Sequence, residues 1–326
     1  MTRAPAHAAS LRLTERLAFI TMFTAMAAFV VGLTVLAAKT GPGAGINLSV
    51  GASSRTELIG SGQGKRPCPV AKGAIGQAPR SRHVYSSEAF DARLTRAFRN
   101  GRRTGLRRLS VGVIDLVTGA EASYHASEHY HAAGIARADI LAALLYQHQR
   151  SVTPIGTSAG LAAEMIEHGN RAAAAALWQA IGRGTGLARA NRALGLRHTI
   201  PGTGNAWSLT GTTVADQLQL LASIATTRSA LDSACRSYEL SLMSNATARQ
   251  QWGVPAAASP GTSYAVTDGW LADPHRFVVN SIGVIHHRDH ELLIVVMSRD
   301  WRTQAAGISA VRAAAIAAVG AMLRSP

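Results

Sequence analysis

Ala133-Gly134-Ile135-Ala136-Arg137-Ala138-Asp139-Ile140-Leu141-Ala142-Ala143-Leu144-Leu145 is the stretch on which the reading of this 326-residue chain turns. Ile140, Leu141, Leu144 and Leu145 recur at helical spacing, so a helix through them turns one apolar side to a core. The residues at its start carry an unusual message. Gly134 has no side chain with which to attack a substrate, and Arg137 keeps its proton at any working pH, so it cannot act as a base. The chain holds three lysines, Lys39, Lys65 and Lys72, and none lies after residue 83. A domain beginning there has no amine side chain to recruit.

Outward from this helix the pattern alternates between strand and helix signals. Ser86 to Asn100 carries Phe90, Leu94 and Phe98 four apart, which predicts an amphipathic helix that Gly101 ends. Leu109 to Leu116 alternates and is β-branched; Thr118-Gly119 supplies a turn and Ala120 to Ala126 the return strand, a hairpin. The stretch from Ser158 to Gln251 reads as a helical block, strongest at Ala162–Glu167, Arg171–Ile181 and Val214–Thr226, with breaks at Gly182–Gly186 and Pro201–Gly204. Strand signals return at Ser263–Val266, Phe277–His287 and Glu291–Ser298, before an Ala-rich helix from Gln304 to Leu323. Strands at both ends with helices inserted between them predict a mixed α/β (α+β) domain: one antiparallel sheet built from both termini, and an all-helical lobe.

The N-terminal third is of a different kind. Leu17 to Ala38 is 22 residues without a charge. At about 1.5 Å per residue it spans roughly 33 Å, enough for a hydrocarbon core of about 30 Å. Arg3, Arg12 and Arg16 precede it against Glu15, so the positive-inside rule places residues 1–16 in the cytoplasm and everything after Lys39 outside. A cleaved signal peptide is the competing reading, with Val35-Leu36-Ala37 as the site, although signal cores usually run about 7–15 residues. Residues 39–82 are rich in Gly, Ser, Ala, Pro and basic side chains and read as a disordered linker; the folded domain is expected over 83–326.

The net charge of +15 is concentrated: residues 1–108 hold 17 Lys/Arg against 4 Asp/Glu. Arg93, Arg96, Arg99, Arg102, Arg103, Arg107 and Arg108 supply much of it, either as a face for anionic lipid or acidic wall polymer or as a solvated helix face. Nucleic acid is a poor partner for an exported domain. Cys68 and Cys235 suit an oxidising compartment, as one disulfide or as two separate thiols. Two histidine groups stand out, His125, His129 and His131, then His286, His287 and His290. On a strand the first three would face one side, but a metal needs a third or fourth converging ligand at fixed geometry, and no metal or cofactor is expected.

Several stretches in order carry a family resemblance. Val111-Gly112-Val113-Ile114-Asp115 with Thr118-Gly119, then Ile140 to Leu145, Met165-Ile166, Asn170-Arg171-Ala172, Ala176-Leu177-Trp178, Gly195-Leu196, Thr210, Thr212-Thr213, Ala215 to Leu218, Gly269-Trp270-Leu271 and Val279 to Gly283 together resemble class A β-lactamase-like serine hydrolases, a family of exported bacterial proteins. The resemblance runs from about His83 to the end. It implies three catalytic motifs: Ser-x-x-Lys for nucleophile and amine, Ser-Asp-Asn for proton transfer and positioning, and Lys-Thr-Gly for the substrate carboxylate. In their places stand Gly134 and Arg137; His168-Gly169-Asn170; and Thr267-Asp268-Gly269.

No catalytic residue is therefore expected. Losing the nucleophile of a serine hydrolase costs on the order of 10⁶ in turnover. Asp268 is expected to pair with Arg137, with Asn170 beside them at the rim of a retained cleft that takes a peptidoglycan fragment, a β-lactam or an envelope protein. The opposing expectations are an active hydrolase using His168 as base, with Ser127 or Ser281 as nucleophile and Glu164 or Glu167 nearby, and a structural envelope protein whose cleft is shut.

Overall fold

The computed structural model describes Cys68, Pro69, Ala92, Thr95, Arg96 and residues 108–323 except 152, 153 and 275. The uncharged stretch at Leu17 to Ala38, most of the linker and all but three residues of the helix expected at Ser86 to Asn100 lie outside them.

Five strands form one antiparallel sheet. In chain order they are β1 (Leu109–Asp115), β2 (Glu121–Tyr124), β5 (Tyr264–Asp273), β6 (Arg276–His287) and β7 (His290–Ser298), and in space β2-β1-β7-β6-β5. The first strand pairs with the last in sequence, from Leu109 opposite Ser298 to Asp115 opposite Leu292. The sheet is thus sewn from both ends of the domain, as the strand signals predict. At the first hairpin the Asp115 carboxylate accepts from the Val117 amide at 2.9 Å and the Thr118 hydroxyl at 2.7 Å, while Gly119 takes a φ of 75°. A short pair, β3 (Tyr130–His131) and β4 (Gly211–Thr212), lies apart.

Alternation along the strands builds two cores. Leu292, Ile294 and Val296 of β7 join Val111 and Val113 on one face, under α7 (Gln304–Met322). Leu293, Val295 and Met297 point the other way, into the helical lobe. Helix α7 is long and apolar enough to cross a membrane by length and composition, yet it lays Val311, Ala314, Ala315, Ala318 and Val319 on the sheet.

The lobe comprises α1 (Ala136–Ser151), α2 (Ser158–Glu167), α3 (Arg171–Ala180), α4 (Arg183–Leu194), α5 (Val214–Ala225) and α6 (Ser233–Ser244). Every residue of α1 from Ala136 to Leu145 is buried, because helices cover one side of it and the sheet the other. Side-chain caps hold the starts of other helices: Asn170 for α3, Thr213 for α5, Asp232 for α6 and Thr303 for α7, each worth about 1 kcal/mol. The break expected at Gly182–Gly186 is only partly there. Gly182 is left-handed at a φ of 85°, but α4 then runs through Gly184 and Gly186. A Cβ at Gly186 would strike the Ile181 carbonyl, so that glycine serves close packing rather than a break.

Cys68 and Cys235 form a disulfide, with their Cα atoms 5.1 Å apart. Cys68 is 2% exposed and belongs to the lobe core, so at this position the linker sequence is fastened to α6.

Candidate functional site

The start of α1 is where Gly134, Arg137 and Gly269 converge. Ala133–Ile135 form a 3-10 turn leading into the helix, with Ala133 held at a φ of 53°. Asn280 on β6 pins this turn to the sheet: its side-chain amide donates to the His131 carbonyl at 2.9 Å and the Ala132 carbonyl at 3.0 Å, and its Oδ1 accepts from the Ser298 amide at 3.0 Å. The turn is thereby pressed on β5. A Cβ built on Gly134 would lie 2.6 Å from Gly269 Cα, and one built on Gly269 would collide with the Gly134 backbone. Glycine at both facing positions lets the two backbones meet, where a Cβ on either would force a shift.

Arg137 fills the space beside them. It is 5% exposed, and its guanidinium donates from Nε to the Gly134 carbonyl at 2.7 Å, from Nη1 to the Met165 carbonyl at 3.3 Å, and from Nη2 to the Asp268 carbonyl and to Gln250 Oε1 at 2.8 Å. Burial lowers its pKa to about 10, against the field of Asp268, which raises it. The side chain ties α1 to β5, to the end of α2 and to the loop at Gln250. It is a cross-brace made largely of backbone acceptors.

The expected salt bridge with Asp268 is not what holds it. Gly269 faces Gly134, so its neighbour Asp268 must send its side chain through the opposite face of the sheet, and only its carbonyl stays on Arg137's side. On that other face the carboxylate accepts from the Trp252 amide at 2.6 Å, the Gly253 amide at 2.9 Å and the Ser281 hydroxyl, which in turn accepts from the Val254 amide at 2.8 Å. Burial pushes the Asp268 pKa up to about 7, with those hydrogen bonds and Arg137 working against the rise.

Gly169 joins this place from the second expected motif: a Cβ built on it would lie 2.6 Å from Arg137 Nη1 and 2.6 Å from Gln250. Thr267 is buried, and its hydroxyl has no partner among the described residues. His168 is exposed at the end of α2, and Gly169 turns the chain there at a φ of 70°. Asn170 is also exposed; its Oδ1 caps α3 through the amides of Ala172 at 2.9 Å and Ala173 at 3.1 Å, and its Nδ2 donates to Glu164 at 3.2 Å. Asn170 thus caps α3, next in sequence to the Gly169 that lies against Arg137. Ser127 is exposed and Ser281 is committed to Asp268. Glu167 is half-buried on α2.

The histidines do not share a strand face. The chain leaves β2 at His125, whose φ is 53°, and only His131 lies in β3. His125 pairs with Glu128; His129 and His131 meet the carbonyls of His198 and Leu209. His286 and His287 meet carbonyls of Ser263 and Ala257, and His290 meets Asp115 at 2.8 Å. Sequence reasoning missed Gln250, Asn280 and the Trp252-Gly253 amides. Nothing in local sequence marks them, because their partners lie far along the chain.

Comparison with solved structures supplies the frame for this geometry. A serine-to-glycine variant of the TLA-1 extended-spectrum β-lactamase matches with a TM-score of 0.63 at 13% identity, covering 74% of this chain and 100% of that one. PBP-A matches at a TM-score of 0.62 and 15% identity, covering 74% and 98%. A β-lactamase from Xanthomonas campestris pv. campestris matches at 0.59 and 18% identity, covering 72% and 98%. The fold is β-lactamase-like. No protein-family model matches the sequence, and no curated protein does. Within this β-lactamase-like domain, Gly134 opens the central helix and Gly269 lies on the edge strand β5 beside it.

Proposed function

We propose that this is an exported, membrane-tethered β-lactamase-like protein that performs no hydrolysis and works in the cell envelope through a protein partner or as a structural element. One observation carries the reading: Gly134 lies against Gly269 with Arg137 braced beside them. An acyl transfer needs a nucleophile, a base to activate it and room for the reacting carbonyl. At this place the first is a glycine and the second an arginine that stays protonated at neutral pH, and backbone and guanidinium crowd the spot where a side chain at 134 would begin. The uncharged stretch at Leu17 to Ala38 and the arginines before it support the tether.

Packing at the start of α1 favours the shut form over a cleft that holds peptidoglycan fragments or β-lactams. The deciding experiment is the intact mass of the full chain, purified in detergent, after exposure to a penicillin, joined to a muropeptide titration. The expected result is an unchanged mass and no saturable muropeptide binding. A shift of one penicillin mapped to Ser281, Ser127 or Thr267 overturns the non-hydrolytic reading. Saturable binding that Arg137→Ala abolishes overturns the shut-cleft reading while leaving the first intact.

A further inference from the structure

Away from the Arg137 brace, a second polar group lies sealed inside the helical lobe. Asp139 on α1, Gln217 on α5 and Glu239 on α6 are each 0% exposed. The Gln217 side-chain NH₂ donates to both Asp139 oxygens, at 3.3 and 3.2 Å, and to the Thr212 hydroxyl at 3.1 Å. That uses both of its hydrogens. Gln217 Oε1 and both oxygens of Glu239 have no donor among the described residues. Glu239 lies close enough to Asp139 to feel its charge. The group is rich in acceptors and poor in donors.

Among the described residues no cation relieves it. Helix α5 contributes Asp216, whose carboxylate is taken by the Arg197 and His198 amides and the Thr199 hydroxyl. On β5, which packs against α6, the Asp268 carboxylate is held by the Trp252-Gly253 amides and Ser281. Glu164 on α2 is exposed and Glu167 half-buried; Arg171 on α3, and Arg183, Arg189 and Arg192 on α4, are exposed. Helix α4 buries only the neutral Asn191 among its polar side chains. Two ionised carboxylates in such a place would carry a desolvation cost of several kcal/mol each with nothing to offset it. A proton changes the count, since a neutral carboxyl brings an O–H donor for the orphaned acceptors.

We propose that Asp139 and Glu239 are a proton-holding pair: both keep their protons in the folded domain at a mildly acidic pH where exposed carboxylates are ionised, and their ionisation at higher pH loosens α1 from α5 and α6. The burial that creates the orphaned oxygens also raises the pKa of Asp139 to about 7 and that of Glu239 well above the ordinary range. Asp139 is two residues from Arg137 on the same helix, so the pair is a pH-sensitive lock on the element that bears the brace. The inference does not depend on the absence of hydrolysis.

The test is an infrared pH titration of the full chain in detergent micelles, reading the carbonyl stretch of protonated carboxylic acids, for the unmodified protein, Glu239→Gln, Asp139→Asn and, as a control, Asp268→Asn. The expected result is protonated-acid signal persisting above about pH 6, where exposed carboxylates are ionised. Glu239→Gln and Asp139→Asn should each remove a component distinct from the one that Asp268→Asn removes. Chemical denaturation gives the companion readout: the unfolding constant rises about tenfold per pH unit for each proton held only in the folded state, and each substitution lowers that slope by one proton. Spectra of the two variants that superimpose on the unmodified protein overturn the proposal. If neither variant folds, the Asp268→Asn protein decides it, because loss of all protonated-acid signal above about pH 6 in that background leaves no proton on the pair.

Discussion

Gly134 and Gly269 touch backbone to backbone, with no room for a Cβ on either. In this fold the contact joins the first turn of the central helix to the edge strand of the sheet, and Arg137 closes it from the side through the carbonyls of Gly134 and Asp268. The glycine that offers no nucleophile at this position is therefore also the one that makes the packing contact.

Adding a hydroxyl at position 134 should destabilise the protein without giving it turnover. Gly134→Ser places a Cβ 2.6 Å from Gly269 Cα and 3.0 Å from the Arg137 guanidinium. Overpacking of this kind costs about 1–3 kcal/mol. Thermal unfolding should show a lower Tm, and nitrocefin should remain unhydrolysed; an unchanged Tm with turnover would contradict the packing account.

Arg137→Met should cost more than its volume suggests, because it strips donors from the carbonyls of Gly134, Met165 and Asp268 and from Gln250. Orphaning buried acceptors costs about 1–3 kcal/mol each. Arg137→Lys should recover only part of the loss, since an ammonium cannot span four acceptors in the guanidinium plane. Urea denaturation of the three proteins ranks them, and equal stability of the Lys and Arg forms would rule the brace out.

Asp268 predicts a pH dependence with a definite sign. Its folded pKa of about 7 lies above the ordinary aspartate value of about 3.9, so the folded state keeps a proton that the unfolded chain releases. Its contribution is fully present below about pH 4 and falls as pH rises through about 7, by up to about 1.4 kcal/mol per unit. Asp268→Asn, which retains an acceptor for the Trp252 and Gly253 amides, should flatten this part of the stability curve. A curve parallel to that of the unmodified protein would show that Asp268 is ionised throughout.

Breaking the link between Cys68 and Cys235 opens a loop of sequence separation 167. Cys235→Ser should lower stability by about 2–5 kcal/mol, and the unmodified protein should resist thiol alkylation until reduced. Ready alkylation without reductant would show two separate thiols.

The uncharged stretch at Leu17 to Ala38 predicts topology. A reporter that needs export, fused after Pro326, should be active, and one that needs the cytoplasm should be silent. The reverse pattern would remove the tether from the proposed function.

The antiparallel sheet from both termini, the helical lobe and the buried central helix were legible in the sequence because each rests on local periodicity. Alternation in Leu109 to Asp115 and the run Leu292 to Met297 state which residues face a core before any partner is known. The absence of lysine after residue 83 and the glycine at 134 were equally plain. What the sequence could not disclose is which way Asp268 points relative to Arg137. That depends on Gly269 being the strand residue that meets Gly134, and a register shift of one would have put the carboxylate beside the guanidinium. Gln250, Asn280 and Glu239 are alike in this respect: each lies more than 90 residues from the partner that explains it, at Arg137, Ala132 and Asp139. Local patterning determined the elements; the packing of β5 onto α1 decided what Gly134, Arg137 and Asp268 touch.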